Sequence, residues 1–215
     1  LVNFHGCTIP RGWERTWPNL MGHEAVRGAE LYKFNESFSA MAPAHNAILP
    51  FTRNAIGPMD YTPVTFSHSK YRHSTTNAHE LALSVVFENG LQHFADGVKA
   101  YQSLPEAPRA FLKAVPAAWD ETRYVAGQPG RLAVLARRSG KEWYVGGISG
   151  SPEATEVSIP LERFGKGGRW NLTVIADGAD DASFAATTQT LTGAETLKVV
   201  VRARGGFVVR AVPAR

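Results

Sequence analysis

The chain has 215 residues, 44% hydrophobic and 20% charged, with 23 Lys and Arg against 19 Asp and Glu for a formal charge of +4. That balance excludes wholesale disorder, and the small basic excess is scattered, densest at Arg137-Arg138 and Arg202/Arg204, rather than gathered into a nucleic-acid face with interleaved aromatics. A single cysteine, Cys7, excludes an intramolecular disulfide and a cysteine zinc site, and no apolar run reaches the roughly 18 residues that a membrane helix needs.

In chain order, LVNFHG is a short apolar run closed by Gly6 and reads as a strand buried on both faces. It is cut into at its first residue, Leu1, and no signal peptide is visible, so the chain reads as a fragment of a longer protein. HEAVRGAELYKF holds helix formers around Gly28 and reads as a broken helix or a loop with a helical turn. NAILPFTRNAIGPMDYTP starts apolar and is then punctuated by Pro50, Gly57, Pro58 and Pro63, the pattern of a strand running into a long loop. TNAHELALSVVFENGLQHFAD predicts a helix capped by Asn77 with Glu80 three residues on, its apolar face carrying Leu81, Val85, Phe87, Leu91 and Phe94. SLPEAPRAFLKAVP predicts a further short helix between prolines.

From about residue 116 the texture changes. RLAVLARRS and EWYVGGIS flank a Gly-Lys turn, a hairpin signal, and TEVSIPL, RWNLTVIADG, ASFAATTQTLT and TLKVVVRARGGFVVRAV continue as β-branched runs between Gly, Pro and Asp. This predicts an all-β sandwich without helices. The first region alternates strands, loops and helices, as an α/β barrel does, but is too short for eight βα units. The expected organisation is therefore α/β plus all-β: residues 1–115 as the C-terminal part of a (β/α)8 TIM barrel, and residues 116–215 as a C-terminal β-sandwich domain.

The chemistry-bearing residues cluster early. Glu24 and Glu30 enclose a small, apolar stretch and follow a loop rich in aromatics, Pro and Gly. Paired carboxylates serve either acid–base work at a glycosidic bond or oxygen ligation of a hard cation such as calcium; on a helix surface they are merely solvated. His5 stands where LVNFHG ends, the end of a barrel strand at which chemistry collects, either as a satisfied core residue or as a donor to a hydroxyl-rich ligand. Gly6 permits close approach. Trp13 and Trp17 are core residues or platforms for a sugar face. His45, Arg53 and Asp60 lie in or near the other strand-loop segment and can line the same pocket. Phosphate loops, the GxSxG elbow and HExxH are absent.

VNFHGCTIPRGWERTWPNLMGHEAVRGAELYKFN and HNAILPFTRNAIGPMDYTPVTFS resemble the catalytic barrel of glycoside hydrolase family 97. AVPAAWDETRYVAGQPGRLAVLARRSGKEWYVGGISG resembles that family's junction into its C-terminal β-domain. The resemblance implies an exo-acting, calcium-dependent bacterial α-glycosidase, periplasmic or secreted, acting on an oligosaccharide or glycoside, with no nucleic-acid partner and no membrane span. It implies Glu30 as general acid/base and Glu24 and Glu30 as calcium ligands. It implies sugar contact by His5; His45, Arg53 and Trp17 are expected from their positions in the chain as further substrate-binding residues. In the inverting α-glucosidase branch a Glu serving as general base follows the histidine; here that position is Gly6. The departure favours the retaining, α-galactosidase-like branch, whose Asp nucleophile comes from an earlier barrel strand, upstream of Leu1. The alternatives are an α-glucosidase or a β-L-arabinopyranosidase on the same scaffold, or a non-catalytic carbohydrate-binding module.

Overall fold

The computed structural model describes residues 1–68, 70–165 and 167–214. Two short strands, β1 (Val2–Phe4) and β2 (Leu20–His23), pair in parallel. Helices α1 (Leu31–Phe34), α2 (Glu36–Ile48), α3 (Asn77–Val86), α4 (Val98–Gln102) and α5 (Glu106–Ala114) follow. LVNFHG forms the expected strand, but its burial on both faces is corrected: Val2 is 37% and Phe4 43% exposed. Burial on both faces requires a covering layer on each, and β1 belongs to a sheet of only two strands. β2 lies in a stretch flanked by Pro18 and containing Gly22, which the sequence pattern reads as loop.

The strand expected from Asn46 is instead the last turn of α2, continued by 3-10 turns at Leu49–Phe51 and Arg53–Ile56. Asn35 caps α2, its side-chain oxygen accepting the Ser37 N–H at 3.0 Å. Phe38, Ala42, Asn46 and Leu49 then bury one stripe at helical spacing. The apolar run at 47–51 is too short to distinguish a strand from a buried helix end.

The helix expected near Asn77 is α3, with a different cap and an earlier end. Thr76 is the cap, its hydroxyl accepting the His79 N–H at 3.1 Å. Asn77 instead donates to the Ala182 carbonyl at 2.8 Å, which ties the helix to the β-rich part. Glu80 takes the Thr75 hydroxyl at 2.5 Å inside the protein, so no capping box forms. Leu91 and Phe94 lie beyond the helix end at Val86.

The remainder is β3 (Glu121–Gln128), β4 (Leu132–Ser139), β5 (Glu142–Ser149), β6 (Thr155–Pro160), β7 (Arg169–Asp177), β8 (Phe184–Thr192), β9 (Thr196–Val201) and β10 (Gly206–Pro213). The expected hairpin is β4–β5, with Ser139 opposite Glu142 and Gly140 at φ 58 in the turn. A six-stranded sheet runs β3-β4-β5-β10-β7-β8, and β6 pairs with β9 separately. Along β6 and β9, Val157, Ile159, Leu197, Val199 and Val201 are buried while Glu156, Ser158, Lys198 and Val200 face out, the two-residue period of a half-covered strand. The buried set packs on Val134, Trp143, Val145, Phe207 and Val209 of the larger sheet. This is the sandwich that the sequence predicts, with one 3-10 turn at Leu161–Arg163.

The other face of the six-stranded sheet is covered by α3. Leu81, Ala82, Val85 and Val86 share a core with Ala133, Tyr144, Ile148, Ile175 and Val208. Contact is close because glycines face the helix: a Cβ on Gly146 would sit 2.8 Å from Val85 Cβ, and one on Gly206 would sit 2.6 Å from His79 Cα. Arg137, buried behind Trp119, donates to the Val86 carbonyl at 3.1 Å and so caps the C-terminus of α3. Arg138 pairs with Asp120 and Glu121, and Arg202 and Arg204 with Asp181. The densest basic spots of the sequence are thus engaged within the fold.

Candidate active site

Three parallel segments end side by side. Phe4 of β1 pairs with His23 of β2, and His23 bridges in parallel to Met59. Backbone bonds extend the register: Glu24 N–H reaches the Phe4 carbonyl at 2.8 Å and Asp60 N–H reaches the His23 carbonyl at 3.0 Å. The next residue of each segment is therefore His5, Glu24 or Asp60, and all three stand at the C-terminal ends of parallel strands, where loops build active sites in α/β proteins.

Glu30 comes back to this point by a tight fold of the chain. A Cβ on Gly28 would meet the Tyr61 carbonyl oxygen at 2.6 Å, so only glycine lets the chain pass. Ala29 N–H then binds that same oxygen at 3.0 Å and sets Glu30 just before α1.

The resulting cluster centres on an imidazole. Nδ1 of His5 lies 3.5 Å from Glu24 Oε2 and 3.7 Å from Asp60 Oδ2, and Nε2 lies 3.4 Å from Glu30 Oε1. One ligand atom each from His5, Glu24 and Glu30 falls within 4.8 Å of the others, a spacing that a metal ion can bridge. The Gly6 N–H donates to Glu24 Oε2, and Gly6 has φ 59. Burial is graded: the Asp60 side chain is 4% exposed, Glu24 13%, Glu30 43% and His5 53%. Asp60 Oδ2 accepts the Asn3 amide at 2.5 Å, while its Oδ1 has no hydrogen-bond partner among the described residues and faces His93 Nδ1 at 3.7 Å.

The other sequence candidates are placed differently. Arg53 is engaged by backbone: its guanidinium donates to the carbonyls of His23 at 2.7 Å, Pro58 at 3.0 Å and Gly57 at 3.1 Å. Burial lowers its pKa from the usual arginine value. It holds the ends of the second and third parallel segments together. His45 sits on α2, its Nε2 3.0 Å from the Arg27 carbonyl and its ring against Phe38. Burial pushes its pKa down. Trp13 and Trp17 are 58% and 63% exposed, so neither is a core residue. Among the described residues, no hydrogen bond or ion pair joins His45, Arg53 or Trp17 to the His5 cluster.

Two members of the cluster are not apparent in the sequence. Asn3 is the one polar side chain inside an apolar strand, and that was its signal. His93 is hidden by the overlong helix expected through NGLQHF; it lies in the irregular stretch after α3.

Residues 118–212 match the family model described as glycosyl-hydrolase 97 C-terminal, oligomerisation. A glycoside hydrolase family 97 enzyme from Pseudoalteromonas sp. strain K8, in complex with acarbose, superposes on 99% of this chain and 35% of that one with a TM-score of 0.86 and 27% identity. The chain is also 43% identical over 208 residues to a probable retaining alpha-galactosidase of Streptomyces bingchenggensis, an alignment covering 96% of this chain and 31% of that protein. The chain belongs to glycoside hydrolase family 97. A crystal structure of a beta-arabinopyranosidase matches with a TM-score of 0.89 and 31% identity over 98% of this chain and 34% of that one. The chain therefore spans about a third of the length of these relatives.

Proposed function

We propose that the full protein is a retaining, calcium-dependent exo-α-galactosidase. Residues 1–115 are the closing part of its (β/α)8 barrel and residues 116–215 its C-terminal β-domain. The observation that carries this reading is the 3.4 Å approach of Glu30 Oε1 to His5 Nε2, beside Glu24, at the ends of parallel strands.

Glu30 is half open to the cleft, as a proton donor to a bound glycoside must be. In the first step it protonates the departing glycosidic oxygen while an Asp from an earlier barrel strand attacks the anomeric carbon; the bond from that carbon to the leaving oxygen breaks. In the second step Glu30 takes a proton from the water that releases the glycosyl-enzyme. His5 contacts the sugar, and Asp60 beneath it keeps the ring turned. Gly6, where the inverting branch carries its base, leaves inversion by that route without a carboxylate.

The donor set fits a hard cation in part. Glu24 and Glu30 would hold Ca²⁺ through carboxylate oxygens, with the rest of its six to eight ligands from water and other barrel residues. When bound, the ion supplies positive charge that stabilises developing negative charge. The resemblance to bacterial family members supports a periplasmic or secreted location; no helix among the described residues is long and apolar enough to cross a membrane.

A β-L-arabinopyranosidase is the second reading, favoured by the match to a beta-arabinopyranosidase. The two substrates share ring stereochemistry and differ by the hydroxymethyl group at C5. NMR of the first-formed sugar from aryl α-galactoside and aryl β-L-arabinopyranoside tests both. Release of α-galactose at the faster rate supports the proposal, whereas release of the inverted anomer contradicts retention.

A further inference from the structure

Glu30 takes its place from the backbone of Tyr61, and the Tyr61 side chain is held from within by groups that the steps above leave unused. Tyr61, Asn46 and His79 are each 0% exposed. The Tyr61 hydroxyl donates to Asn46 Oδ1 at 2.6 Å, and Asn46 Nδ2 lies 3.1 Å from His79 Nε2. An amide N–H only donates, so His79 Nε2 accepts and the ring proton sits on Nδ1. Burial pulls the His79 pKa down to about 3, so the ring is neutral, as this arrangement requires.

These bonds join parts of the chain that are far apart in sequence. His79 lies on α3 against the six-stranded sheet, where a Cβ on Gly206 would sit 2.6 Å from its Cα. Its Nδ1 makes no hydrogen bond of good geometry among the described residues, but backbone carbonyls at Gly205, Arg204 and Ser149 lie close enough to favour a proton there. Asn46 stands in the last turns of α2. Tyr61 follows Asp60 at the end of the third parallel segment.

The backbone of Tyr61 serves two residues of the cluster. Its carbonyl accepts the N–H of Ala29, the residue before Glu30, at 3.0 Å, and the Asp60 carboxylate on its other side lies 3.7 Å from His5 Nδ1. An added Cβ on Gly28 would meet that carbonyl oxygen at 2.6 Å, so a displaced Tyr61 carries Gly28 to Glu30 with it. A phenylalanine at 61 would fill the same space against Phe87, whose ring centroid is 4.7 Å away. The buried hydroxyl and its partners therefore add direction rather than volume: they fix where the ring stops and, with it, the backbone at 61.

We infer that Tyr61 is a positioning residue for Glu30, fixed by the Asn46 and His79 side chains, so that the β-rich part of the chain helps to set the proton donor. The inference rests on the reading of Glu30 as that donor.

The test uses the full-length protein and the ratio of kcat/KM for an α-galactoside with a poor, acid-demanding leaving group to that for an activated one. Tyr61→Phe removes one oxygen, and Asn46→Leu, of similar size, breaks the chain of bonds at its middle. Each should lower the poor-to-activated ratio about fivefold to 20-fold, on the poor substrate through kcat rather than KM. Ser84→Ala removes a buried α3 hydroxyl outside this chain of bonds, one that donates to the Leu81 carbonyl at 2.7 Å, and should leave the ratio at wild type. Mere loss of stability lowers both rates together and does not move the ratio. A wild-type ratio in either Tyr61→Phe or Asn46→Leu, or an equal fall in Ser84→Ala, overturns the positioning role and leaves Glu30 as the acid. An unaltered ratio in Glu30→Gln overturns the reading of the proton donor and the inference with it.

Discussion

The buried carboxylate of Asp60 lies 3.7 Å from Nδ1 of the half-exposed His5, on the ring edge opposite the one that faces Glu30. Together with Glu24 Oε2 at 3.5 Å, it puts negative charge on that edge, which favours the proton on Nδ1 and turns Nε2 toward Glu30. Asp60→Ala removes that nearby charge together with the acceptor of the Asn3 amide, and should lower kcat/KM of the full protein about 10- to 100-fold, the range expected when a hydrogen bond to a charged group is lost. Asp60→Asn keeps an acceptor oxygen and should recover most of that loss. Steady-state kinetics on an α-galactoside, with circular dichroism to confirm folding, makes the comparison.

Arg53 is expected to matter for stability rather than for substrate affinity. Its three carbonyl contacts are made in a buried setting. Arg53→Met removes three charge-assisted hydrogen bonds, although the His23 and Gly57 carbonyls keep the Asp60 N–H and the Asn54 amide, and should cost about 2 to 4 kcal/mol, read as a lower urea midpoint. A rise in KM at unaltered stability would instead return Arg53 to the substrate.

The sequence makes much of this fold legible, and the failures have physical causes. The β-rich half is readable because β6, β9 and their neighbours alternate in and out with a period of two, and because Gly140 marks its turn. Residues 46–56 are misread because a buried helix end and a strand share the same short apolar pattern. β1 is exposed because burial depends on neighbouring layers, which a local window does not contain. Glu24, Glu30 and His5 stand out in the sequence by residue type and setting, their roles come from the family resemblance, and the parallel register brings them together. Their joining to Asp60 depends on a bridge from His23 to Met59, 36 residues apart in sequence, that no local periodicity encodes.

The seam between α3 and the large sheet depends on hydrogen in place of a methyl group. At Gly146 an added Cβ would meet Val85 at 2.8 Å and the Ala82 carbonyl oxygen at 3.0 Å; at Gly206 it would meet His79 Cα at 2.6 Å. Gly146→Val and Gly206→Val should each destabilise by about 1 to 3 kcal/mol or more through overpacking, measured by chemical denaturation. Neutral substitutions at both sites would mean that the helix does not lie on the sheet as described.

Glu80 and His79 make the stability respond to pH in opposite senses. Burial pushes the Glu80 carboxyl up to about 7 from an ordinary 4.5 and pulls His79 down to about 3 from 6.5. Between pH 4.5 and 7 the folded chain holds a proton on Glu80 that the unfolded chain has lost, so this residue's cost grows as pH rises and is complete above 7. His79 acts the other way: its neutral form is favoured in the fold, and stability is lost as pH falls below 6.5. Glu80→Gln should therefore stabilise the protein above pH 7, by up to about 3 kcal/mol at about 1.4 kcal/mol per tenfold change in proton affinity. The advantage should vanish near pH 4.5, leaving the acid slope of His79 uncovered. Thermal unfolding of wild type and variant from pH 4.5 to 8.5 reads the difference.

The central claim is that Glu30 gives and retakes the proton. The most direct measurement is the kcat/KM of full-length Glu30→Gln on an α-galactoside with a poor, acid-demanding leaving group, set beside an activated one. The account predicts a loss of about 10²- to 10⁴-fold on the poor leaving group and a much smaller loss in forming the glycosyl-enzyme from the activated substrate. Full activity of the variant on the poor leaving group would contradict it.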